Sequence, residues 1–142
     1  MEIKVFDKTH IKPSFQKQIS ELFSQLSQKK QQKKLEDLFS EGIPIKFVCC
    51  IENNQIIGIA SMCVYTVISG KKGWIEDVVV DKKRRGYGIG RKLINKLINL
   101  GKQLDLVEIL LFTEDHRIPA IKLYSDLGFN LKNSRIYNLK LK

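Results

Sequence analysis

Apolar and polar residues alternate at the start of the chain, Ile3 and Val5 against Glu2 and Lys4. A period of two is that of a strand with one buried face, so Met1–Asp7 is predicted to open the fold as a strand. Pro13 suits the first turn of a helix, and after it the period changes. Phe15, Ile19, Leu22, Phe23 and Leu26 recur three and four residues apart, an apolar stripe on a helix of about four turns. Gln28–Lys34 is polar. Leu35, Leu38 and Phe39 then form a second short amphipathic helix, which Gly42 and Pro44 end. Ile45–Glu52 and Gln55–Val67 are rich in Ile, Val and Cys and are separated by Asn53-Asn54, the signal of a hairpin. Gly58 marks a bend or bulge in its second arm. Ser69–Gly73 is predicted as the next turn and Trp74–Asp81 as the next strand, so the hairpin-linked strands run antiparallel.

The second half is patterned differently. Gly86, Gly88 and Gly90 precede a helical stripe of Leu93, Ile94, Leu97, Ile98 and Leu100. Asp105–Phe112 is an apolar strand interrupted by Glu108, and Ile118–Leu127 is a helix that Gly128 ends. Arg135–Leu141, with Ile136, Tyr137, Leu139 and Leu141, is predicted to close the chain as a strand. The order is β-α-α-β-β-β-α-β-α-β. Strand–helix–strand crossovers favour parallel pairing, so the sheet is mixed and mostly antiparallel, an α/β fold covered by helices. Too few crossovers exist for a doubly wound sheet. No repeat, low-complexity stretch or linker interrupts residues 1–142, which read as a single domain.

Composition narrows the class. Hydrophobic residues make up 43% and charged residues 28%, too apolar for a disordered chain. The amino terminus has no apolar run followed by a small-residue cleavage site, and no stretch has the length of a membrane span. Cys49, Cys50 and Cys63 all lie in apolar segments and read as reduced core thiols of a cytoplasmic protein. The net charge of +10 admits nucleic acid or an anionic ligand as partner. No zinc-finger spacing or aromatic RNA motif accompanies it. His10 and His116 are too far apart to make a metal site, and none is expected.

One basic cluster, Lys82-Lys83-Arg84-Arg85, abuts the glycines. A strand, Trp74–Asp81, runs into a glycine turn that opens a helix. Glycines let a backbone approach a ligand closely, and the free amides of a first helical turn point at whatever sits there. Those amides, the helix dipole and the nearby cations suit a pyrophosphate. A plain glycine turn is the competing reading. A dinucleotide turn needs Gly-x-Gly-x-x-Gly after a parallel strand, whereas these glycines alternate and antiparallel strands precede them. A Walker A loop needs a Gly-Lys-Ser/Thr that is absent.

Arg85-Gly86-Tyr87-Gly88-Ile89-Gly90 matches the Arg/Gln-x-x-Gly-x-Gly/Ala signature of the GNAT superfamily of N-acetyltransferases. Ala120-Ile121-Lys122-Leu123-Tyr124-Ser125-Asp126-Leu127-Gly128-Phe129 resembles that family's second motif, Ala-x-x-Leu/Phe-Tyr-x-x-Leu-Gly-Phe. The motifs stand in the family's order with one strand between them, and the resemblance covers nearly the whole chain. It implies a mixed, mostly antiparallel central sheet with helices on both faces, and acetyl-CoA as cofactor. Val78, Val79 and Val80 would lend backbone groups to the pantetheine arm. Arg84, Arg85, Gly86, Tyr87, Gly88, Ile89, Gly90 and Arg91 would hold the pyrophosphate. The thioester would sit where Asp105–Phe112 splays from Glu76–Val80, with Tyr124 as general acid toward the leaving thiolate. A backbone N–H near Val78 or Val79 would stabilise the growing oxyanion.

Adjacent residues of a strand face opposite ways, so only one of Glu76 and Asp77 is expected to reach the acceptor. Trp74-Ile75-Glu76-Asp77 resembles the Gly-His-Ile-Glu-Asp strand of glucosamine-phosphate N-acetyltransferases, with Trp74 in place of the histidine. Glu76 is therefore favoured as base, directly or through water, with His116 as the alternative. Trp74 is either an aromatic rim for a ligand or an ordinary packed ring. His10 reads as a surface or capping residue. Arg117 stands where many relatives have a pantetheine-binding asparagine, so either Arg117 or His116 replaces it or the contact is absent.

The expected function is transfer of an acetyl group from the thioester to a primary amine, on a small molecule or a peptide. No membrane or nucleic acid is involved, and a homodimer would pair through the edge of the last strand. A non-catalytic acyl-CoA-binding module on the same fold is the alternative. A basic nucleic-acid binder, whose affinity would collapse with salt, is the third reading.

Overall fold

The computed structural model describes residues 1–142. The chain divides into two compact units, Met1–Phe112 and Thr113–Lys142. In the first, β1 (Glu2–Phe6), β2 (Ile45–Glu52), β3 (Gln55–Val67), β4 (Gly70–Val80) and β5 (Glu108–Leu110) form one sheet in chain order. The first three pairings are antiparallel, and β5 joins β4 in parallel. The return to parallel follows from the connection, because α3 (Ile89–Gln103) carries the chain back to the start of β4. The mixed sheet predicted from the hydrophobic pattern is therefore present.

The alternation along β2 decides which helix covers which face. Phe47 and Cys49 belong to a core with Phe15, Ile19 and Leu22 of α1 (Pro13–Leu26) and Leu35 of α2 (Leu35–Leu38). Val48 and Cys50, between and beyond them, are wholly buried on the opposite face. Gly58 pairs with Cys50, and a Cβ there would lie 3.0 Å from Ile89 and Leu93 of α3. Thus α1 and α2 cover one face and α3 the other. Leu93, Ile94 and Leu97 have no exposed surface. Burying each such side chain contributes about 1.5–3 kcal/mol. No helix is long and apolar enough to cross a membrane.

Several expectations change. The turn predicted over Ser69–Gly73 is shorter: β4 already begins at Gly70, and Val64 to Val67 pair with Gly73 to Gly70. Gly73 is glycine for want of space, since a Cβ would meet Met62 Sδ at 2.6 Å. The strand predicted over Asp105–Phe112 shrinks to Glu108–Leu110. Its first residues instead stop α3, with Asp105 at φ 59° and the Leu106 amide donating to the Gly101 carbonyl at 3.0 Å. Cys63 is exposed, not a core thiol, while Cys49 and Cys50 are buried. Burial raises the pKa of both buried thiols, which keeps them protonated.

The second unit holds α4 (Ile118–Asp126) and the carboxy-terminal segment. Arg135–Leu141 forms no strand. Ile136 is 62% exposed and Leu141 87%. Its apolar residues keep no strict period of two, so no single face is consistently apolar.

Candidate active site

The glycine turn is built from β4 outward. The Asp81 amide donates to the Ile57 carbonyl at 2.9 Å, and the Asp81 carboxylate caps a short turn by accepting from the Lys83 amide at 3.1 Å. Gln25 of α1 accepts from the Lys82 amide at 2.9 Å, which ties that helix to the turn. Gly86 and Gly88 have φ of 85° and 77°, the left-handed region, and no atom lies within 4 Å of an added Cβ at either. Backbone conformation, not crowding, requires glycine at both. Gly88 caps α3 without a side-chain hydrogen bond, so the first-turn amides receive nothing from the cap. Ile89, 1% exposed, anchors the turn in the core.

The cations are deployed unequally. Arg84 pairs with Glu52 of the β2–β3 hairpin; the contact lowers the pKa of the glutamate and raises that of the arginine. Arg84, expected at the cofactor, thus already has a protein partner. Arg85 donates to the Val80 carbonyl at 3.1 Å. Arg85 and Lys82 line an open groove of about 680 Å³ with Lys29, Ser24, Gln25 and Glu21. Tyr87 is 69% exposed, Gly90 lies inside α3, and Arg91 is exposed on its first turn. Val79 is core, so only its backbone faces other duties; Val78 and Val80 are half-buried. An uncapped helix start, left-handed glycines and a basic rim fit the pyrophosphate of acetyl-CoA.

Farther back along β4, the pairing with β5 stops at Trp74↔Leu110, although β4 continues to Val80. The edge of β4 from Ile75 onward is therefore open on that side. The β3 pairing is interrupted too: Ser61 faces Glu76, yet Ile59 faces Val79, so β4 carries one extra residue. Asp77 takes it up at φ 55°, a bulge that breaks the alternation. Ser61, 5% exposed, braces it by donating to the Glu76 carbonyl at 2.9 Å.

The bulge interrupts the alternation from which Glu76 and Asp77 were expected to face opposite ways. Burial raises the Glu76 pKa first, the Asp77 charge raises it further, and Lys30 opposes both. Burial also raises Asp77, again opposed by Lys30. Lys30 lies in the loop between α1 and α2, within the polar run Gln28–Lys34, and its long-range placement leaves no local signal. Asp77 was visible as an acid, but the bulge was not. Trp74 and Glu76 share the sheet face that α1 covers, since their partners Cys63 and Ser61 continue the face of Ile59. The Trp74 ring packs on Phe112, centroids 6.2 Å apart, and its indole N–H is buried with no hydrogen-bond partner in the protein. Leaving such a donor unpaired costs about 1–3 kcal/mol.

In the second unit the Tyr-x-x-Leu-Gly-Phe motif is a helix cap. The Phe129 amide donates to the Tyr124 carbonyl and the Gly128 amide to the Ser125 carbonyl, both at 3.0 Å, with Gly128 at φ 96°. This is the Schellman arrangement, and its customary apolar contact is the Tyr124–Phe129 ring pair at 5.9 Å. The cap fixes Tyr124, and burial raises its pKa against the opposing charge of Arg117, which keeps the phenol protonated. Arg117 caps the start of α4. His116 is exposed and lies 3.3 Å from Glu114. His10 caps with Asp7, as its sequence position allowed. No three His, Cys, Asp or Glu residues are grouped to hold a metal ion.

The profile of the Acetyltransferase (GNAT) family matches residues 12–129, and the chain belongs to that family. Over 91 residues it is 33% identical to Glucosamine 6-phosphate N-acetyltransferase of Trypanosoma brucei brucei, covering 62% of this chain and 60% of that protein. Over 71 residues it is 37% identical to N-alpha-acetyltransferase 30 of Homo sapiens, covering 50% of this chain and 19% of that protein. The matched stretches thus span less than two thirds of these relatives' lengths. A solved acetyltransferase of Trypanosoma brucei superposes over 99% of both chains with a TM-score of 0.77 and 26% identity.

Proposed function

We propose that this chain is an acetyl-CoA-dependent N-acetyltransferase that passes the acetyl group to a primary amine by direct attack. The observation that carries the reading is β4, which joins a glycine turn suited to pyrophosphate, an open edge and a bulged carboxylate pair on one strand. When bound, acetyl-CoA supplies a thioester carbon open to a neutral amine.

The residues divide the remaining work. Gly86, Gly88 and the first amides of α3 hold the pyrophosphate, with Arg85 and Lys82 at the rim. The open backbone of Val78–Val80 pairs with the pantetheine arm. Glu76 takes the proton of the acceptor ammonium, a task its raised pKa suits. A backbone N–H near Val78 or Val79 donates to the developing negative oxygen. Tyr124, protonated at neutral pH, gives its proton to the departing thiolate.

Calorimetry of acetyl-CoA against the protein, with free CoA and NAD as comparators, is the first test. Micromolar binding with NAD silent, followed by amine-dependent thiol release, is expected. Tyr124→Phe should then lower turnover roughly ten- to a hundredfold and leave acetyl-CoA affinity unchanged. Cofactor binding without turnover on any amine would replace the enzyme by a binding module.

A further inference from the structure

We propose that the indole N–H of Trp74 selects acceptors whose amine has an oxygen on the adjacent carbon, the N–C–C–O unit. The inference rests on the acyltransferase reading and names its acceptor class. Three observations meet at this residue. Its N–H is the buried side-chain donor of this chain that finds no protein partner. It stands at the last paired rung of β4 and β5, where the open edge of β4 begins. It shares a sheet face with Glu76, two residues on.

The spacing suits such a unit. Residues two apart on a strand are separated by roughly 7 Å. A carboxylate and an indole N–H so placed bracket a short fragment, the carboxylate receiving the amine and the N–H reaching its neighbouring oxygen. A tryptophan donates only, so an acceptor atom such as an oxygen on the ligand would pair with it, whereas an alkyl chain or a second ammonium would not. Phe112, the ring packed on the indole, is 55% exposed and lies past the end of β5, outside the core, so only this surface ring has to yield to an acceptor. Two sources offer the same unit: the hydroxyl beside the amine of an amino sugar, and the first carbonyl of a peptide amino terminus. The side-chain amine of lysine lacks it.

The test compares glucosamine 6-phosphate, a peptide with a free amino-terminal Met, and N-acetyl-lysine amide as acceptors. The variants are Trp74→Phe and protein in which this sole tryptophan is replaced by β-benzothienylalanine, which keeps the ring shape and loses the N–H. One of the first two acceptors should exceed the lysine amine at least tenfold in kcat/KM. Loss of the N–H should erase about tenfold of that advantage, with acetyl-CoA affinity unchanged. In nitrogen-15 spectra of protein with CoA, the single indole cross-peak should move with the preferred acceptor, which tells sugar from peptide. A preference that survives both replacements, a lysine amine that serves equally well, or an indole peak unmoved at saturating acceptor overturns the inference. Failure to bind acetyl-CoA would instead overturn the acyltransferase reading beneath it.

Discussion

The two ends of β4 reach their chemistry by opposite routes. At the Val80 end the site is local: Gly86 and Gly88 bend the backbone, and the next residues begin α3. Almost everything that matters there lies within about ten consecutive residues. At the Trp74–Asp77 end the site is assembled from afar. Ser61 of β3 braces the bulge, Lys30 of the α1–α2 loop opposes the rise that burial and Asp77 impose on Glu76, and Leu110 of β5 marks where pairing stops. A local site tolerates changes elsewhere and depends on the conformation of a few residues. An assembled site depends on register, and its charges are coupled.

Removing the charge at the assembled end should have the largest effect. Glu76→Gln keeps the shape but cannot take a proton, and kcat/KM should fall about 100-fold or more at unchanged acetyl-CoA affinity. Steady-state kinetics beside calorimetry checks both halves; a loss below threefold would hand the base to His116 or to water.

Arg85→Ala combined with Gly88→Ala attacks the local end. Forcing a Cβ into the left-handed region costs about 1–2 kcal/mol, and a rim cation goes with it. Acetyl-CoA affinity should drop roughly 10- to 100-fold. Intact affinity by calorimetry would mean that the pyrophosphate lies elsewhere.

Coupling gives a finer contrast. As the proposed base, Glu76 would have to be ionised, so activity should fall as pH drops through its raised pKa. Asp77→Asn removes a neighbouring negative charge and should move that acidic limb to lower pH. Lys30→Gln removes the opposing cation and should move it to higher pH. The pH dependence of kcat/KM reads both shifts, and identical limbs in all forms would disconnect Lys30 and Asp77 from the base.

The smallest effect concerns the bulge itself. Asp77→Val places a β-branched residue at φ 55° and should lose about 1–2 kcal/mol of stability, whereas Asp77→Gly should be near neutral. Equal melting temperatures for the two would argue against the left-handed bulge.

The same division separates what was legible in the chain from what was not. The helices over Phe15–Leu26 and Leu93–Leu100 follow from three- and four-residue spacing, and the glycines Gly86, Gly88 and Gly90 bracket the start of the second. The Tyr124 motif was recognisable because it is a cap, and a cap is written in consecutive residues. Asp105 misled for a related reason: an apolar run spells a strand, but here its first residues close α3. The run Arg135–Leu141 misled because apolar residues without a strict period of two do not define a strand face.

The helices, the hairpin, the glycine turn and the family motifs are readable along the chain, since each depends on residues within a turn or two of one another. The bulge at Asp77, the engagement of Arg84 by Glu52, the influence of Lys30 and the unpaired indole of Trp74 emerge only once the chain is folded. Those depend on which elements lie side by side. Alternation and the hairpin turns set the register of each strand pair, but which side chains and loops meet across it follows from the packing of the whole sheet and its helices.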